Sequence, residues 1–148
     1  MRSIKRRAQR CGNAIGVWTH RVAKGRLDTW GDATVLMLTS PGRNTGLPRS
    51  TMVRYLDHEG GYLVWGTGSG SPTDPDWFRN LRRASRVRME IGPTSYDALA
   101  EVLEGTERDR VWREVVLARA PEVAKYERKA GRVIPVALLR PTEVNDRA

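Results

Sequence analysis

The stretch around which the chain is organised is a turn-rich loop between two apolar runs, Ser40-Pro41-Gly42-Arg43-Asn44-Thr45-Gly46-Leu47-Pro48-Arg49-Ser50-Thr51. Gly42 and Gly46 permit backbone angles that a side chain forbids, and Pro48 stiffens the exit. Arg43 and Arg49 can form bidentate hydrogen bonds to phosphate or carboxylate. Taken alone, the loop is more simply a polar connection between strands, so its neighbours must decide whether it binds an anion.

The segments around this loop are predicted to be β-strands. Residues 34–39 are β-prone and apolar on both faces, which predicts a buried strand. Residues 51–57 form the next predicted strand, and a turn at residues 58–61 leads into a third at residues 62–65. The loop therefore joins two strands of an antiparallel sheet.

A second loop of small residues, 66–73, leads into a predicted helix at residues 76–83. Asp74 is the predicted N-cap of this helix, with Pro75 at its first position. A small-residue loop that feeds a helix N-terminus can hold an anion or a flat ring, and it can equally be a flexible linker. Composition alone does not decide between these two interpretations.

The rest of the chain predicts two more hairpin strands, two helices and a final strand. These elements are a strand at 86–91, its partner at 95–103, a helix that Thr106 caps with Asp109, a helix at 122–130 that Gly131 ends, and a strand at 133–139. About six strands with antiparallel connections and late helices predict a small α+β domain on an antiparallel sheet or barrel.

The charge of the chain is concentrated at its beginning. The formal net charge is +9, and residues 1–27 contain eight basic and no acidic residues, so the rest is nearly neutral. Cys11 is the only cysteine, which excludes an internal disulfide and fits a reducing, cytoplasmic setting. No apolar run approaches the length of about 20 residues that a membrane span needs.

The basic N-terminal segment predicts an amphipathic helix. Its apolar residues recur at intervals of three and four: Ile4, Ala8, Cys11, Ile15, Trp18 and Val22. Such a helix can lie on the inner face of a membrane as a peripheral contact, bind nucleic acid, or pack on its own domain or on a sister subunit. We divide the chain into a basic arm, 1–30, and a cofactor-binding domain, 31–148.

The residues that could carry catalysis are few. The two histidines, His20 and His58, lie in the arm and in a turn, so neither a catalytic triad nor a zinc cluster is predicted. The glycine loops lack the lysine of a phosphate-binding P-loop. Arginines, backbone amides and aromatic walls remain, which suit a phosphorylated aromatic molecule. A cofactor then carries the chemistry.

Three motifs in order resemble the deazaflavin-dependent nitroreductase family, small reductases that use coenzyme F420. They are Pro41-Gly42-Arg43-Asn44-Thr45-Gly46-Leu47-Pro48-Arg49, Pro75-Asp76-Trp77-Phe78-Arg79-Asn80-Leu81, and Tyr126 with Arg132-Val133-Ile134-Pro135-Val136. The resemblance covers about residues 33–141. It implies a split β-barrel like that of the pyridoxamine-phosphate-oxidase group, and hydride transfer from reduced F420 to a quinone, an enone or a nitroaromatic compound.

The resemblance also implies site residues. Those implied to bind the cofactor are Arg43, Asn44, Thr45, Pro48, Arg49 and Thr51 in and after the first loop, Thr67, Gly68, Ser69 and Gly70 in the second, and Trp77 and Asn80, which brace the second loop. Tyr126 is the implied catalytic residue, which orients the substrate or donates a proton. No metal is implied.

Asn44 and Gly68 depart from the family pattern, which has lysine at both places. Losing a hydrogen bond to a charged group, worth about 1.5–3 kcal/mol, weakens binding about tenfold or more. FMN, another flavin or haem is therefore an alternative cofactor. The alternative functions are a non-catalytic cofactor-binding protein and a module that acts on membrane or nucleic acid through residues 1–27. A monomer or a homodimer is expected.

Overall fold

The computed structural model describes residues 29–30 and 33–145. The predicted amphipathic helix lies outside the described residues. The strands are β1 (Thr29–Trp30), β2 (Ala33–Pro41), β3 (Pro48–Arg54), β4 (Leu56–His58), β5 (Gly61–Trp65), β6 (Arg86–Ile91), β7 (Thr94–Val102) and β8 (Val136–Asn145). Within the described residues, then, the sheet has eight strands, two more than predicted.

The strands form one antiparallel sheet in the order β1-β2-β6-β7-β8-β5-β4, and β3 pairs with β2. The β2–β3 hairpin runs from Val35 opposite Arg54 to Pro41 opposite Pro48, so the first loop closes a long ribbon. The final strand, β8, lies between β7 and β5 and joins the two halves of the sheet.

Most strand predictions are confirmed because their periodicity matches their burial. Residues 86–91 are a strand with those bounds, and Val87 and Met89 are buried while Arg86 and Arg88 are exposed. The predicted turn after His58 is also present, with positive φ at Glu59 and Gly60. The predicted strand at 133–139 is wrong at both ends, since β8 begins at Val136 and continues to Asn145.

The helices are α1 (Asp76–Arg83), α2 (Gly105–Val111), α3 (Leu117–Arg119) and α4 (Ala124–Ala130). A π-helical turn, Trp112–Val116, joins α2 to α3, and a 3₁₀ turn, Pro121–Val123, precedes α4. A further 3₁₀ turn at Gly68–Gly70 lies in the second loop. Gly131 ends α4 with a φ of 62°, as predicted.

Both predicted N-caps are wrong. Pro75 is the cap residue of α1, and the carboxylate of Asp74 accepts hydrogen bonds from Arg82 and Arg132 instead. Glu104 is the cap residue of α2, so Thr106 lies inside the helix and makes no capping bond. Two charged partners outcompete a backbone N–H for the Asp74 carboxylate, because hydrogen bonds between ions are the stronger ones.

Two hydrophobic clusters hold the fold together. One packs α2, α4 and the π-helical turn on the sheet, with Trp112, Val116 and Ile134 buried in it. The other lies between the strands and α1, with Leu36, Phe78 and Met89 fully buried. Burying a side chain of this size contributes about 1.5–3 kcal/mol, so α1 is firmly seated on the barrel strands. A different side of α1 faces the two loops.

Candidate functional site

A cleft of about 440 Å³ lies between the first loop, the beginning of β3, the second loop and the first turns of α1. We call residues 42–47 loop 1 and residues 66–73 loop 2. The cleft is open to solvent on one side, and its walls come from segments that are far apart in the chain. The fold of the sheet and the position of α1 therefore create it.

Loop 1 is held in a compact turn by its own backbone. The N–H of Gly42 donates to the carbonyl of Leu47 at 2.8 Å, and the N–H of Gly46 donates to that of Gly42 at 2.7 Å. The hydroxyl of Thr45 accepts from the N–H of Leu47 at 3.2 Å. A Cβ added at Gly42 would meet Thr45 Oγ1 at 3.2 Å and the carbonyl oxygen of Leu47 at 3.3 Å, so a side chain there would push these atoms aside by a few tenths of an ångström.

Arg43 is fixed to α1 rather than free in the cleft. Its backbone N–H and its Nη1 both donate to Asn80 Oδ1, at 3.1 and 2.9 Å. Its Nη2 donates to Asp76 Oδ1 at 3.1 Å. Asn80 is buried, so the amide oxygen is a preformed acceptor that ties loop 1 to the helix. Asn80 thus braces loop 1, whereas the resemblance implied that it braces loop 2.

Two other arginines of the cleft have no such partner. Arg49 is exposed at the beginning of β3, and Arg79 is exposed on α1. Within residues 33–145, neither guanidinium makes a hydrogen bond or an ion pair to another side chain. Both line the cleft, so they are the cations that it can offer to an anion.

One residue of the cleft lining, Thr51, has a buried hydroxyl without a partner among the described residues. Thr51 on β3 is 7% exposed, and its Oγ1 has no hydrogen-bond partner among the described residues. Burying a hydroxyl without a hydrogen bond costs about 1–3 kcal/mol.

Loop 2 is organised by Arg132, which lies between α4 and β8. Its guanidinium donates to the carbonyls of Gly66, Thr67, Ser71 and Thr73 at 3.0–3.2 Å and to the carboxylate of Asp74 at 2.7 Å. Burial lowers the pKa of Arg132, and the negative charge of Asp74 opposes this effect. Because these bonds use the backbone carbonyls, they set the course of the loop.

Trp77 supplies the aromatic surface of the cleft. It is partly buried, and its ring meets that of Phe78 edge to face with the centroids 5.3 Å apart. Phe78 is itself fully buried, so the indole has a rigid support. A supported indole at the wall of a cleft can pack against a flat ring.

The cleft brings together eight of the predicted cofactor-binding residues and leaves out four. Those that line it are Arg43, Asn44, Thr45, Arg49, Thr51, Gly68, Trp77 and Asn80. The four that do not are Pro48, Thr67, Ser69 and Gly70. Tyr126 lies on α4 with Lys125 Nζ 5.0 Å from its ring, and it is not part of the cleft lining either.

Sequence reasoning missed several residues of the cleft. Ser71, Thr73, Asp74, Asp76 and Arg79 also line it. Asp74 was predicted to cap the helix at residues 76–83, and Asp76 and Arg79 belong to the second motif of the resemblance without an implied role. The spacing of Asp76, Arg79 and Asn80, three and four residues apart, was the available signal, because such residues share one face of a helix.

The charges of the cleft indicate binding rather than acid–base catalysis. Asp76 accepts from Arg43, and Asp74 accepts from both Arg82 and Arg132, so both carboxylates of the lining are held by guanidinium groups. Both carboxylates therefore take part in ion pairs within the protein. The arrangement suits a ligand with an anionic group and a flat ring.

Comparison with known proteins identifies the family of the chain. Residues 14–141 match the model of the family described as F420H(2)-dependent quinone reductase. An F420H(2)-dependent quinone reductase of Mycobacterium tuberculosis (strain ATCC 25618 / H37Rv) is 29% identical over 106 residues, which are 70% of this chain and 71% of that protein.

Solved structures support the fold. A structure of an F420-H2 dependent reductase, FDR-A, is 27% identical, covers 72% of this chain and 93% of its own, and has a TM-score of 0.62. The structure of a putative pyridoxamine 5′-phosphate oxidase from Listeria innocua is 16% identical and covers 75% of this chain and 86% of its own, with a TM-score of 0.51. The predicted α+β split barrel is confirmed.

Proposed function

The chain belongs to the F420H(2)-dependent quinone reductase family, and we propose that the cleft between loop 1 and α1 is where it binds reduced coenzyme F420. The protein is an oxidoreductase, and F420 is its cofactor. The proposal concerns which residues hold the cofactor and which acceptor is reduced.

The residues of the cleft fit an acidic deazaflavin. The observation that carries the proposal is the buried hydroxyl of Thr51, which has no partner among the described residues and lies on the same strand as Arg49. A buried hydroxyl without a protein partner, in a residue of a cleft lining, is explained by a ligand atom or an ordered water molecule as its partner. Arg49 and Arg79 supply two cations for the acidic end, and Trp77 supplies a surface for a ring.

In this arrangement each side chain has a separate task. Arg49 and Arg79 bind the anionic end of the cofactor, while Asn80 and Asp76 hold Arg43 so that loop 1 keeps its turn. Thr51 orients the ring through its hydroxyl, and Trp77 excludes water from one side of it. When bound, the reduced deazaflavin supplies a hydride to the acceptor.

The acceptor is a small molecule, and we propose a quinone. An enone or a nitroaromatic compound requires the same hydride and is the alternative. Tyr126 is proposed to orient the acceptor or to donate a proton to it. Reduction of a quinone or an enone by a hydride also consumes a proton, which the tyrosine hydroxyl can supply. Since Tyr126 lies outside the cleft lining, this role depends on an acceptor that extends toward α4.

The basic arm has a proposed role beside the cleft. Residues 1–27 are proposed to touch an anionic membrane surface, which would bring the reductase near lipid-soluble quinones. No helix among the described residues is long and apolar enough to span a membrane. Removing residues 1–27 and measuring sedimentation with anionic vesicles tests the contact. Equal sedimentation of both proteins would contradict it.

Titration with F420, FMN and FAD tests the cofactor, with fluorescence as the signal. We expect saturable binding of F420 and weaker binding of the two flavins. Oxidation of reduced F420 by a panel of quinones then distinguishes an enzyme from a non-catalytic binding protein, the alternative that Asn44 and Gly68 suggest. Tight binding without turnover of any acceptor would favour the binding protein, and no binding of F420 would contradict the proposal.

A further inference from the structure

Arg132 reaches from the segment before β8 into loop 2 and contacts both ends of that loop. Its Nη2 donates to the carbonyls of Gly66 and Thr67 at one end, at 3.0 and 3.2 Å, and to that of Thr73 at the other, at 3.1 Å. Its Nε donates to the carbonyl of Ser71 at 3.0 Å. One planar group thus connects four backbone positions of the loop.

The base from which Arg132 extends is itself fixed. The buried Arg108 donates from Nε and Nη2 to the carbonyl of Ile134, at 3.0 and 2.5 Å. Ile134 is fully buried, and the carbonyl of Pro135 accepts from the N–H of Gly66 at 3.0 Å. The segment that carries Arg132 is therefore anchored to the core through Ile134.

The charge of Arg132 is compensated inside the same cluster. Asp74 accepts from Arg132 Nη1 at 2.7 Å and also from Arg82 of α1, and the side chains of Arg132 and Asp74 are 15% and 20% exposed. This carboxylate joins loop 2 to α1, the helix that carries Trp77 and Arg79. The ion pair between Asp74 and Arg132 thus connects both ends of loop 2, α1 and the segment before β8.

We propose that Arg132 is a positioning residue for the cleft: it holds loop 2 as a formed wall before the ligand arrives and thereby sets the affinity for the deazaflavin ring. The proposal rests on the proposed function, because it takes the ring of the cofactor as the group that meets loop 2. Gly68, Ser71 and Thr73 are the residues of loop 2 that line the cleft, and they depend on this support.

The effect on affinity follows from the population of the formed loop. If only a fraction of the molecules has the loop in place, the apparent Kd rises by the inverse of that fraction. Replacing Arg132 by glutamine leaves one neutral amide for bonds that a guanidinium makes to five groups. A tenfold fall in the formed population would raise the Kd tenfold.

The test uses R132Q, R132K and the control R128Q in the full chain. Arg128 is an exposed residue of α4 that does not line the cleft, so R128Q removes the same charge without touching loop 2. Hydrogen exchange of residues 66–73 is measured without ligand. The Kd is measured for F420 and for a deazaflavin analogue that lacks the acidic tail.

We expect R132Q to accelerate exchange in loop 2 and to raise the Kd for both deazaflavins by the same factor, about tenfold or more. R132K should give an intermediate value, because an ammonium can donate at most three hydrogen bonds, and R128Q should change neither quantity. A lower melting temperature with unchanged loop exchange and unchanged Kd would overturn the proposal and leave Arg132 a purely structural residue.

The hydrogen-exchange experiment tests the effect of Arg132 on loop 2 independently of the proposed function. If the wild-type protein binds no deazaflavin, the proposed function fails, while exchange in loop 2 still reports whether Arg132 holds the loop. If the wild-type protein binds but loop exchange in R132Q is unchanged, only the positioning role fails. Should R132Q not fold, R132K carries the same comparison.

Discussion

Asn80 Oδ1 accepts two hydrogen bonds from Arg43, one from the backbone N–H at 3.1 Å and one from Nη1 at 2.9 Å. A single buried amide oxygen thus fixes both the backbone of loop 1 and the direction of its arginine. The cleft has its shape in the absence of ligand, because loop 1 is attached to α1 by this contact.

Replacing Asn80 by alanine should therefore destabilise the protein. Removing a buried acceptor of two bonds costs about 1–3 kcal/mol, and in a chain of this length each kcal/mol lowers the melting temperature by about 2–4 °C. Thermal unfolding measures the change. Asn44→Ala is the control, since Asn44 is exposed on the same loop, and an equal loss in both variants would contradict the role of Asn80.

Replacing either of the two arginines that lack a partner in the described structure should weaken F420 binding. Each of R49Q and R79Q is expected to raise the Kd about tenfold or more, because each removes a hydrogen bond between ions. R83Q is the matched control, since Arg83 is exposed on the same helix and does not line the cleft. An equal effect of R83Q would show that net charge alone governs binding.

Thr51→Val separates stability from binding. The variant removes a buried hydroxyl that has no partner in the described structure and keeps the β-branched shape, so the free energy of unfolding should rise by about 1 kcal/mol. The Kd for F420 should rise about threefold to tenfold, because the hydroxyl can no longer bond to the ligand. Denaturant unfolding and fluorescence titration measure the two quantities.

Thr39→Val provides the contrast for this prediction. Thr39 Oγ1 lies 2.7 Å from Ser50 Oγ, so its removal breaks an existing hydrogen bond. We expect T39V to lower the free energy of unfolding, in the opposite direction from T51V. A loss of stability in T51V as large as that in T39V would indicate that the Thr51 hydroxyl has a partner in solution.

Replacing Gly70 by alanine should destabilise loop 2 by more than the cost of its left-handed backbone conformation, because the new Cβ also meets Lys129. Gly70 has a φ of 82°, and an added Cβ would lie 2.9 Å from Lys129 Cβ, an atom that a rotamer change cannot move away. Gly46→Ala is the control, with a φ of 72° and open space around the new Cβ. Both variants bear a backbone cost of about 1–2 kcal/mol. We expect G70A to lose more melting temperature, and equal losses would contradict this.

Tyr126→Phe tests the predicted catalytic residue. We expect an unchanged Kd for F420, because Tyr126 does not line the cleft, and a kcat with quinone that falls at least about tenfold if its hydroxyl serves the acceptor. Tyr96→Phe on β7 is the control. Unchanged kcat and KM in Y126F would remove Tyr126 from the site.

The strands and the loops were accessible to sequence reasoning because local patterns decide them. The alternation of apolar and charged residues located β6, and the glycine after Ala130 located the end of α4. Both signals lie in residues that are neighbours in the chain. The helix caps were not accessible in this way. The carboxylate of Asp74 bonds to Arg132, which is 58 residues away, and no local pattern reports such a partner.

The same reason explains what was missed in the site. Arg43 and Arg49 look equivalent in the sequence, yet Arg43 is bonded to Asn80 and Asp76, while Arg49 has no partner among residues 33–145. Their different roles arise from where α1 lies on the sheet. The start of β8 at Val136 likewise involves a residue distant in the chain, because Arg108 donates a hydrogen bond to the carbonyl of Ile134 just before the strand.

The position of β8 has a consequence for biosynthesis. Among the described strands, the last to leave the ribosome is the one that lies between β5 and β7, so this sheet cannot close before β8 has been translated. Until then both neighbouring strands present unpaired edges, which are templates for association with other nascent chains. Closure of this sheet therefore follows the synthesis of β8, and until then the edges of β5 and β7 need protection by another protein, such as a chaperone at the ribosome.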